Sequence, residues 1–143
     1  MSETEPLRVL FVCVENSNRS QMAEAFARMH GGPQIEAHSA GSRPSGKVNP
    51  KAVAAMRESG YDLSKHASES LDAVAGLRFA AAVTMGCGDA CPHVAAGRRE
   101  DWDIPDPREM PPEEFREVRD LIEQKVKTLL QTVHTGDNRD SGR

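Results

Sequence analysis

Short apolar runs alternate with amphipathic segments along most of the chain. Residues 7–12 and 79–85 have the length and the apolar composition of buried strands, and residues 35–40, which alternate weakly, predict a further strand between them. Residues 101–104 predict a brief fourth strand at the edge of a sheet. Residues 86–99, which contain glycines, a proline and two cysteines, are predicted to form the longest irregular segment.

Helices are predicted between and after these strands. Residues 21–30 carry apolar side chains at helical spacing, and the glycines that follow end this helix. Asn49 offers a side-chain cap and Pro50 suits a first helical position, so a second helix begins there. Residues 64–76 predict a short helix, and Glu113 lies in the first turn of the last one. The last helix places these apolar residues on one face: Phe115, Val118, Ile122, Val126, Leu129 and Val133.

This alternation of strands and helices predicts an α/β fold. The expected architecture is a single-domain, doubly wound, four-stranded parallel sheet with helices on both faces. The chain of 143 residues fits one domain, placed over residues 1–134, and the polar residues 135–143 are predicted to be a disordered tail. Ligands bind beyond the carboxyl ends of the strands in such sheets. The first strand runs directly into Cys13, so a site is predicted there.

The segment after the first strand combines a nucleophile with an anion-binding loop. Its sequence is Cys13-Val14-Glu15-Asn16-Ser17-Asn18-Arg19-Ser20. Backbone N–H groups at a helix N-terminus bind oxyanions, and the guanidinium of Arg19 adds a planar fork of donors. Such surroundings favour the thiolate of a cysteine, which is its nucleophilic form. We therefore predict that Val14 to Ser20 bind an oxyanion and that Cys13 attacks it, with Ser20 capping the helix.

This motif, a cysteine followed after five residues by Arg-Ser, resembles that of the low-molecular-weight tyrosine phosphatase fold. Within that superfamily the chain is similar to the thioredoxin-coupled arsenate reductases. The resemblance extends over nearly the whole chain and includes residues 13–25, 39–41, 48–52 and 103–107. It implies reduction of arsenate to arsenite, phosphate or sulfate as analogues in the same loop, and thioredoxin or a similar thiol reductant as partner.

Two further cysteines follow the third predicted strand, on the rim that carries Cys13. Cys87 and Cys91 are four positions apart, which places their Cα atoms about 6 Å apart on a helical turn, within disulfide reach. The resemblance implies a relay in which Cys87 attacks the Cys13 sulfur and Cys91 then attacks Cys87. The residues themselves leave two alternatives open, which are idle thiols or a zinc site with His93.

A carboxylate is expected to assist this chemistry. Asp106 precedes a proline, which disfavours helix, so we predict that it lies on an extended loop. The resemblance implies that Asp106 is the general acid that protonates the leaving oxygen. Arg108 stands where a phosphatase of this fold commonly has an aromatic residue. Glu15 would repel an anion, so its side chain is predicted to point to solvent.

No tightly bound cofactor is expected. The resemblance implies a monovalent cation near Asn16, Glu24 and Ser39, although Glu69 stands where an aspartate is more usual. The five histidines show no metal-binding spacing, so no other metal is predicted and most are assigned surface or structural positions.

Charge and composition exclude several classes of function. The net charge of −4 argues against nucleic acid as a partner, and no apolar run is long enough to span a membrane. The acidic start is unlike a signal peptide, and three cysteines do not form a static disulfide framework, so a cytoplasmic location is predicted. Two rival functions remain open. One is a low-molecular-weight protein tyrosine phosphatase acting through Cys13, Arg19 and Asp106, and the other is an arsenic- or redox-sensing binding module.

Overall fold

The computed structural model describes residues 6–74, 76–85 and 95–141. Its strands are β1 (Leu7–Cys13), β2 (Ile35–Gly41), β3 (Arg78–Thr84) and β4 (Ala95–Asp101). Its α-helices are α1 (Arg19–Gly31), α2 (Pro50–Glu58) and α3 (Pro112–Ser141). Short 3-10 helices occupy Gly32–Gln34, Leu63–Lys65 and Leu71–Val74. The strands form one four-stranded parallel sheet in the order β2-β1-β3-β4, which confirms the predicted fold class.

The carboxyl ends of all four strands meet at one edge of the sheet. Cys13 at the end of β1 pairs with Gly41 of β2, and Val12 pairs with Thr84 of β3. Thr84 in turn pairs with Asp101 at the end of β4. The chain passes from β1 outward to β2 and then crosses back to β3, so the direction of winding changes at β1. The loop after β1 therefore lies at the switch point where ligands bind in doubly wound sheets.

Apolar side chains cover both faces of the sheet, and their burial is the main driving force for folding. The three α-helices pack on one face, where the largest fully buried side chains include Phe11, Phe26, Met56, Met85 and Ile122. The other face forms a smaller cluster made of Leu10, Val12, Ala40, Val74, Phe79 and Ala82. In the described part of the chain, the 3-10 helix Leu71–Val74 covers that second face.

The fourth strand lies earlier in the chain than predicted. β4 spans Ala95–Asp101, so residues 95–99 are not part of an irregular segment, and residues 102–104 lie outside the strand. The sequence of β4 is AAGRRED, in which charged residues replace the apolar alternation that marks most strands. Charged side chains are common on edge strands because they oppose edge-to-edge association. Trp102, directly after β4, is buried against Phe11.

The ends of two helices also differ from the predictions. α1 begins at Arg19, and its N-cap is Asn18, whose side-chain oxygen accepts the N–H of Arg19. The prediction that Ser20 is the cap is wrong, because Ser20 is fully buried within the first turn. α3 continues to Ser141, past the end predicted from the loss of apolar periodicity after His134. The disordered tail over 135–143 stays a prediction. The helix start at Asn49 and Pro50 is confirmed.

Among the described residues, no helix is both long enough and apolar enough to cross a membrane.

Candidate active site

The loop after β1 is fixed from outside by the connection between β2 and α2. Backbone N–H groups of this connection donate to carbonyl oxygens of the loop: Ser42 to Cys13 (3.3 Å), Arg43 to Val14 (2.7 Å), Ser45 to Glu15 (3.0 Å) and Asn49 to Ser17 (2.8 Å). The carbonyl groups are thereby occupied on the outer side of the loop. Within the described residues, the N–H groups of Glu15, Ser17 and Asn18 make no hydrogen bond, so they are available to an oxyanion.

Gly41 is a further outer support of this loop, since only a glycine fits its position. A Cβ atom at Gly41 would lie 2.6 Å from the carbonyl oxygen of Val14 and 2.9 Å from the backbone nitrogen of Asn16. Both are backbone atoms, which cannot move aside as the end of a flexible side chain can. The close approach of β2 to the loop therefore depends on the missing side chain.

We expect the substitution Gly41→Ala to distort the loop and to destabilise the protein by about 1–3 kcal/mol, the usual cost of overpacking. Urea unfolding measures the loss of stability. The matched control is Gly97→Ala on β4, where the nearest contact of an added Cβ would be an ordinary 3.5 Å to the Ala80 carbonyl oxygen. Equal stability of the two variants would contradict the proposed close approach.

Asn16 holds the loop from inside. Its backbone has φ of 52°, in the left-handed region that asparagine tolerates better than most residues. The side chain is fully buried, and its amide nitrogen donates to the Ser20 hydroxyl over 2.8 Å. The amide oxygen accepts the backbone N–H of Glu69 over 2.7 Å. Asn16 thus joins the loop to the segment after α2 and orients Ser20.

The sulfur of Cys13 faces Ser20. Cys13 is 2% exposed, and its Sγ lies 2.9 Å from the Ser20 Oγ. Because the Ser20 oxygen already accepts a hydrogen from Asn16, its own hydrogen is free to point at the sulfur. A thiolate at Cys13 would accept that hydrogen bond.

Arg19 is buried beside the loop with its guanidinium fixed at one end. Its Nη1 donates to the Ile104 carbonyl oxygen over 2.9 Å, and its Nη2 lies 3.9 Å from the Asp106 carboxylate. The Nε is buried and has no hydrogen-bond partner among the described residues. An unpaired buried donor is costly, and a bound oxyanion would satisfy it. Arg19 is therefore arranged as a ligand for an anion in the loop.

Asp106 lies across from the loop on the extended segment that follows Trp102. Its side chain is 43% exposed, and its Oδ1 accepts the backbone N–H of Arg108 over 3.1 Å. Oδ1 also accepts the Asn18 Nδ2 of the loop over 3.4 Å, and Asp106 lines a cavity of about 270 Å³ together with Cys13 and Arg19. The structure therefore brings the predicted nucleophile, anion ligand and acid to one small cavity. Their chemical roles stay predictions.

Glu15 and Arg108 form the outer rim of this cavity. The Glu15 side chain is 41% exposed, and its carboxylate pairs with the Arg108 Nη1 at 3.0 Å. The prediction that Glu15 points simply to solvent is therefore incomplete, because the side chain also lines the cavity and pairs with Arg108.

A partly buried group of hydrogen-bonded side chains next to the loop was missed by the sequence analysis. The Gln21 amide nitrogen donates to the Asn16 carbonyl oxygen over 3.0 Å, and the Gln21 amide oxygen lies 2.9 Å from His66 Nδ1. Since an amide oxygen only accepts, Nδ1 carries the hydrogen, and His66 Nε2 accepts the Tyr61 hydroxyl over 2.6 Å. Burial lowers the pKa of His66, although the nearby Glu24 carboxylate opposes this, so the ring is neutral at neutral pH.

The residues predicted to hold a cation lie close to this group of side chains. The Glu24 carboxylate accepts the Ser39 hydroxyl over 2.5 Å and forms an ion pair of 2.8 Å with Arg28. The Asn16 oxygen already accepts the Glu69 N–H. Because Arg28 balances the charge of Glu24, this arrangement offers little free negative charge to a monovalent ion. The cation stays a prediction, and no step below depends on it.

Cys87 and Cys91, with the alternative zinc ligand His93, lie outside the described residues. Among the residues that are described, no group of three histidine, cysteine, aspartate or glutamate side chains is arranged to hold a metal. The relay and the zinc alternative both stay untested by the geometry.

A cysteine and an arginine at the two ends of an anion loop, on a doubly wound sheet with a carboxylate opposite, define a class of phosphatase-like proteins. Residues 8–139 match the low molecular weight phosphotyrosine protein phosphatase family, and the chain belongs to that family.

Its curated relatives within this family include arsenate reductases. One, from Bacillus licheniformis, is 39% identical over 137 residues, which cover 87% of this chain and 95% of that protein. A glutaredoxin arsenate reductase from Synechocystis is 36% identical and matches 88% of this chain and 98% of its own length. A solved structure of an arsenate reductase in the phosphate binding state has a TM-score of 0.82 and 35% identity, over 89% of this chain and 98% of that chain.

Proposed function

We propose that this protein reduces arsenate to arsenite, with Cys13 as nucleophile and with Cys87 and Cys91 as the thiols that carry the oxidation away. The observation that carries this proposal is an anion loop closed on a buried cysteine, in a chain whose sequence has two more cysteines soon after β3. Similarity to arsenate reductases over nearly the whole chain supports the same substrate.

The first step forms a bond between sulfur and arsenic. Arsenate binds to the free N–H groups of the loop and to the unpaired Nε of Arg19, which bear the charge that builds on its oxygens. The Cys13 thiolate attacks the arsenic atom of hydrogen arsenate, and the bond between arsenic and its hydroxyl oxygen breaks. Asp106 gives its proton to that oxygen, which leaves as water.

The second step transfers two electrons. The Cys87 thiolate attacks the Cys13 sulfur, the sulfur–arsenic bond breaks, and its electron pair stays on arsenic, so arsenite leaves. Cys91 then attacks the Cys87 sulfur, releases the Cys13 thiolate and leaves a Cys87–Cys91 disulfide. An external dithiol reduces this disulfide and is itself oxidised. Phosphorus does not readily accept the electron pair, so a phosphatase has no use for the two additional thiols.

The end of β3 supports this use of Cys87. The backbone N–H of Met85 donates to the Val12 carbonyl oxygen over 2.7 Å, next to Cys13 in β1. Cys87 follows Met85 by two positions, and two residues of chain span at most about 7 Å. The covalent chain therefore limits how far Cys87 is from the strand that ends in Cys13.

A coupled assay tests the proposal. The purified protein is mixed with arsenate, NADPH and either thioredoxin with its reductase or glutaredoxin with glutathione and glutathione reductase. We expect arsenate-dependent loss of NADPH with one of these systems, with one arsenite formed per NADPH. Thioredoxin is the proposed reductant, while the Synechocystis relative makes glutaredoxin the rival. Hydrolysis of p-nitrophenyl phosphate without NADPH loss in either system would favour the phosphatase instead.

We expect Asp106→Asn to slow arsenite formation in a single turnover by about 10²-fold, because an amide cannot supply the proton to the leaving oxygen. Phosphate binding should change little, since Asp106 is not among the positive or N–H ligands of the anion. Rapid-quench measurement of arsenite gives the rate.

The matched control is Asp103→Asn, an exposed carboxylate on the same segment. Its single-turnover rate should equal that of the unmodified protein. A rate for Asp106→Asn within about threefold of the control would remove Asp106 from the role of general acid.

A further inference from the structure

We propose that Arg108 neutralises Glu15 at the mouth of the anion cavity, and that this ion pair selects small inorganic oxyanions over aryl phosphates. The inference rests on the proposed arsenate reduction and assigns to two residues of this chain the choice of its substrate. It concerns two partly exposed residues that line the cavity, whereas Cys13 and Arg19 are buried.

Glu15 places a negative charge where an anion must pass. It is the second residue after Cys13, and its backbone carbonyl is held by the Ser45 N–H over 3.0 Å. The Glu15 side chain lines the cavity, and its carboxylate is held there by the Arg108 guanidinium at 3.0 Å. An unpaired carboxylate in this position would repel arsenate or phosphate, both of which are negatively charged at neutral pH.

Arg108 is positioned to cancel that charge. Its backbone N–H donates to the Asp106 carboxylate over 3.1 Å, and its backbone carbonyl accepts the Lys51 Nζ over 2.8 Å. The Arg108 side chain starts from this anchored backbone and reaches Glu15 at 3.0 Å. The pair therefore connects the anion loop with the segment that carries Asp106, across the mouth of the cavity.

Fold stability does not explain this pair. The side chains of Arg108 and Glu15 are 51% and 41% exposed, and ion pairs at such positions contribute little to folding because water screens them. Their charges nevertheless act on any anion that approaches the loop. A gain in anion affinity, rather than in stability, accounts for an arginine opposite Glu15.

The pair also limits the shape of the ligand. The cavity of about 270 Å³ has Glu15 and Arg108 across its outer side. None of the described residues that line it is aromatic, so an aryl ring would find no stacking partner and would have to displace the ion pair. A tetrahedral inorganic oxyanion has no such group and fits behind the closed rim.

A double-mutant cycle tests the neutralising role, with inorganic phosphate as the probe and calorimetry of the reduced protein as the readout. We expect Arg108→Gln to weaken phosphate binding about tenfold, because it leaves the Glu15 charge unbalanced. Glu15→Gln should bind phosphate about threefold more tightly than the unmodified protein. In the Glu15→Gln background, Arg108→Gln should change the affinity by less than about twofold.

The control breaks a comparable ion pair elsewhere. Arg116 pairs with Glu58 at 3.0 Å, and their side chains are 46% and 44% exposed, nearly the same as in the proposed pair. Arg116→Gln should leave phosphate binding unchanged. The neutralising role is overturned if Arg108→Gln has no effect, if Arg116→Gln has the same effect, or if the loss persists in the Glu15→Gln background. Persistence would mean that Arg108 binds the anion directly.

Selectivity is measured with p-nitrophenyl phosphate. The double variant should hydrolyse it with kcat/KM at least about tenfold above that of the unmodified protein, since the rim is open. An unchanged value would overturn the selective role. Phosphate binding does not depend on which reaction follows. The double-mutant cycle therefore tests the ion pair, and the coupled assay tests arsenate reduction, so the two proposals can fail independently.

Discussion

Cys13→Ser is expected to abolish arsenate reduction while phosphate binding remains. Serine keeps the size and the hydrogen bond to Ser20, but its hydroxyl is not ionised at neutral pH and cannot form the sulfur–arsenic bond. The rate of arsenite formation should fall by at least about 10⁴-fold, as for the loss of other enzymatic nucleophiles. Single-turnover assays with arsenate measure this rate without dependence on the reductant.

The fold and the loop should survive this change. Cys13 is 2% exposed, and the loop is held mainly by Asn16 and by N–H groups of the connection after β2, none of which involves the sulfur. Phosphate affinity within about threefold of the unmodified protein would show that the cavity is intact. Arsenite formation at more than a few per cent of the original rate would mean that another group is the nucleophile.

The loop that joins Cys13 to Arg19 was predictable because the sequence signals for it are local. β1, the loop and the first turn of α1 are adjacent in sequence, and each part has an ordinary physical signature. An apolar run predicts the strand, and a cysteine with an arginine at fixed spacing predicts an anion loop. The alternation of further strands and helices then predicts the edge of the sheet at which this loop lies.

The surroundings of the site were not predictable, since they depend on contacts between distant parts of the chain. His66 meets Gln21 across 45 positions of sequence, and Arg108 meets Glu15 across 93. No periodicity signals such pairs. β4 was misplaced for a different reason, because its charged edge-strand sequence lacks an apolar pattern.

Hydrogen bonding explains why Ser20 was given the wrong role. A serine before an apolar helix is a common cap, but Asn18 takes that position and Ser20 is left to contact Cys13. Asn18 and Ser20 are both residue types that cap helices, and only the course of the backbone decides which of them occupies the cap position. The same path gives Asn16 its positive φ, which turns the carbonyl groups of the loop toward the connection that follows β2.

Cys87→Ser and Cys91→Ser are expected to stop the reaction at different points. Without Cys87 no thiol of the chain attacks the Cys13 sulfur, so even a single turnover should give no arsenite. Without Cys91 the reaction should release one arsenite per protein and then stop as a Cys13–Cys87 disulfide. Steady-state NADPH loss should fall at least about 100-fold in both variants.

Two measurements distinguish the two variants. One is the amount of arsenite formed in a single turnover, and the other is the mass of the intact protein under non-reducing conditions. Cys91→Ser should lose the mass of two hydrogens on treatment with arsenate, whereas Cys87→Ser should not. Peptide mapping should place the disulfide of Cys91→Ser between Cys13 and Cys87, because the thiol that would attack Cys87 next is absent. If both variants sustain arsenate turnover at an unchanged rate, the two thiols take no part in the reduction. Aryl phosphate hydrolysis that survives both changes, in a protein that does not reduce arsenate, would favour the phosphatase instead. If Cys87→Ser turns over only with glutathione present, an external thiol has replaced Cys87 in its attack on Cys13.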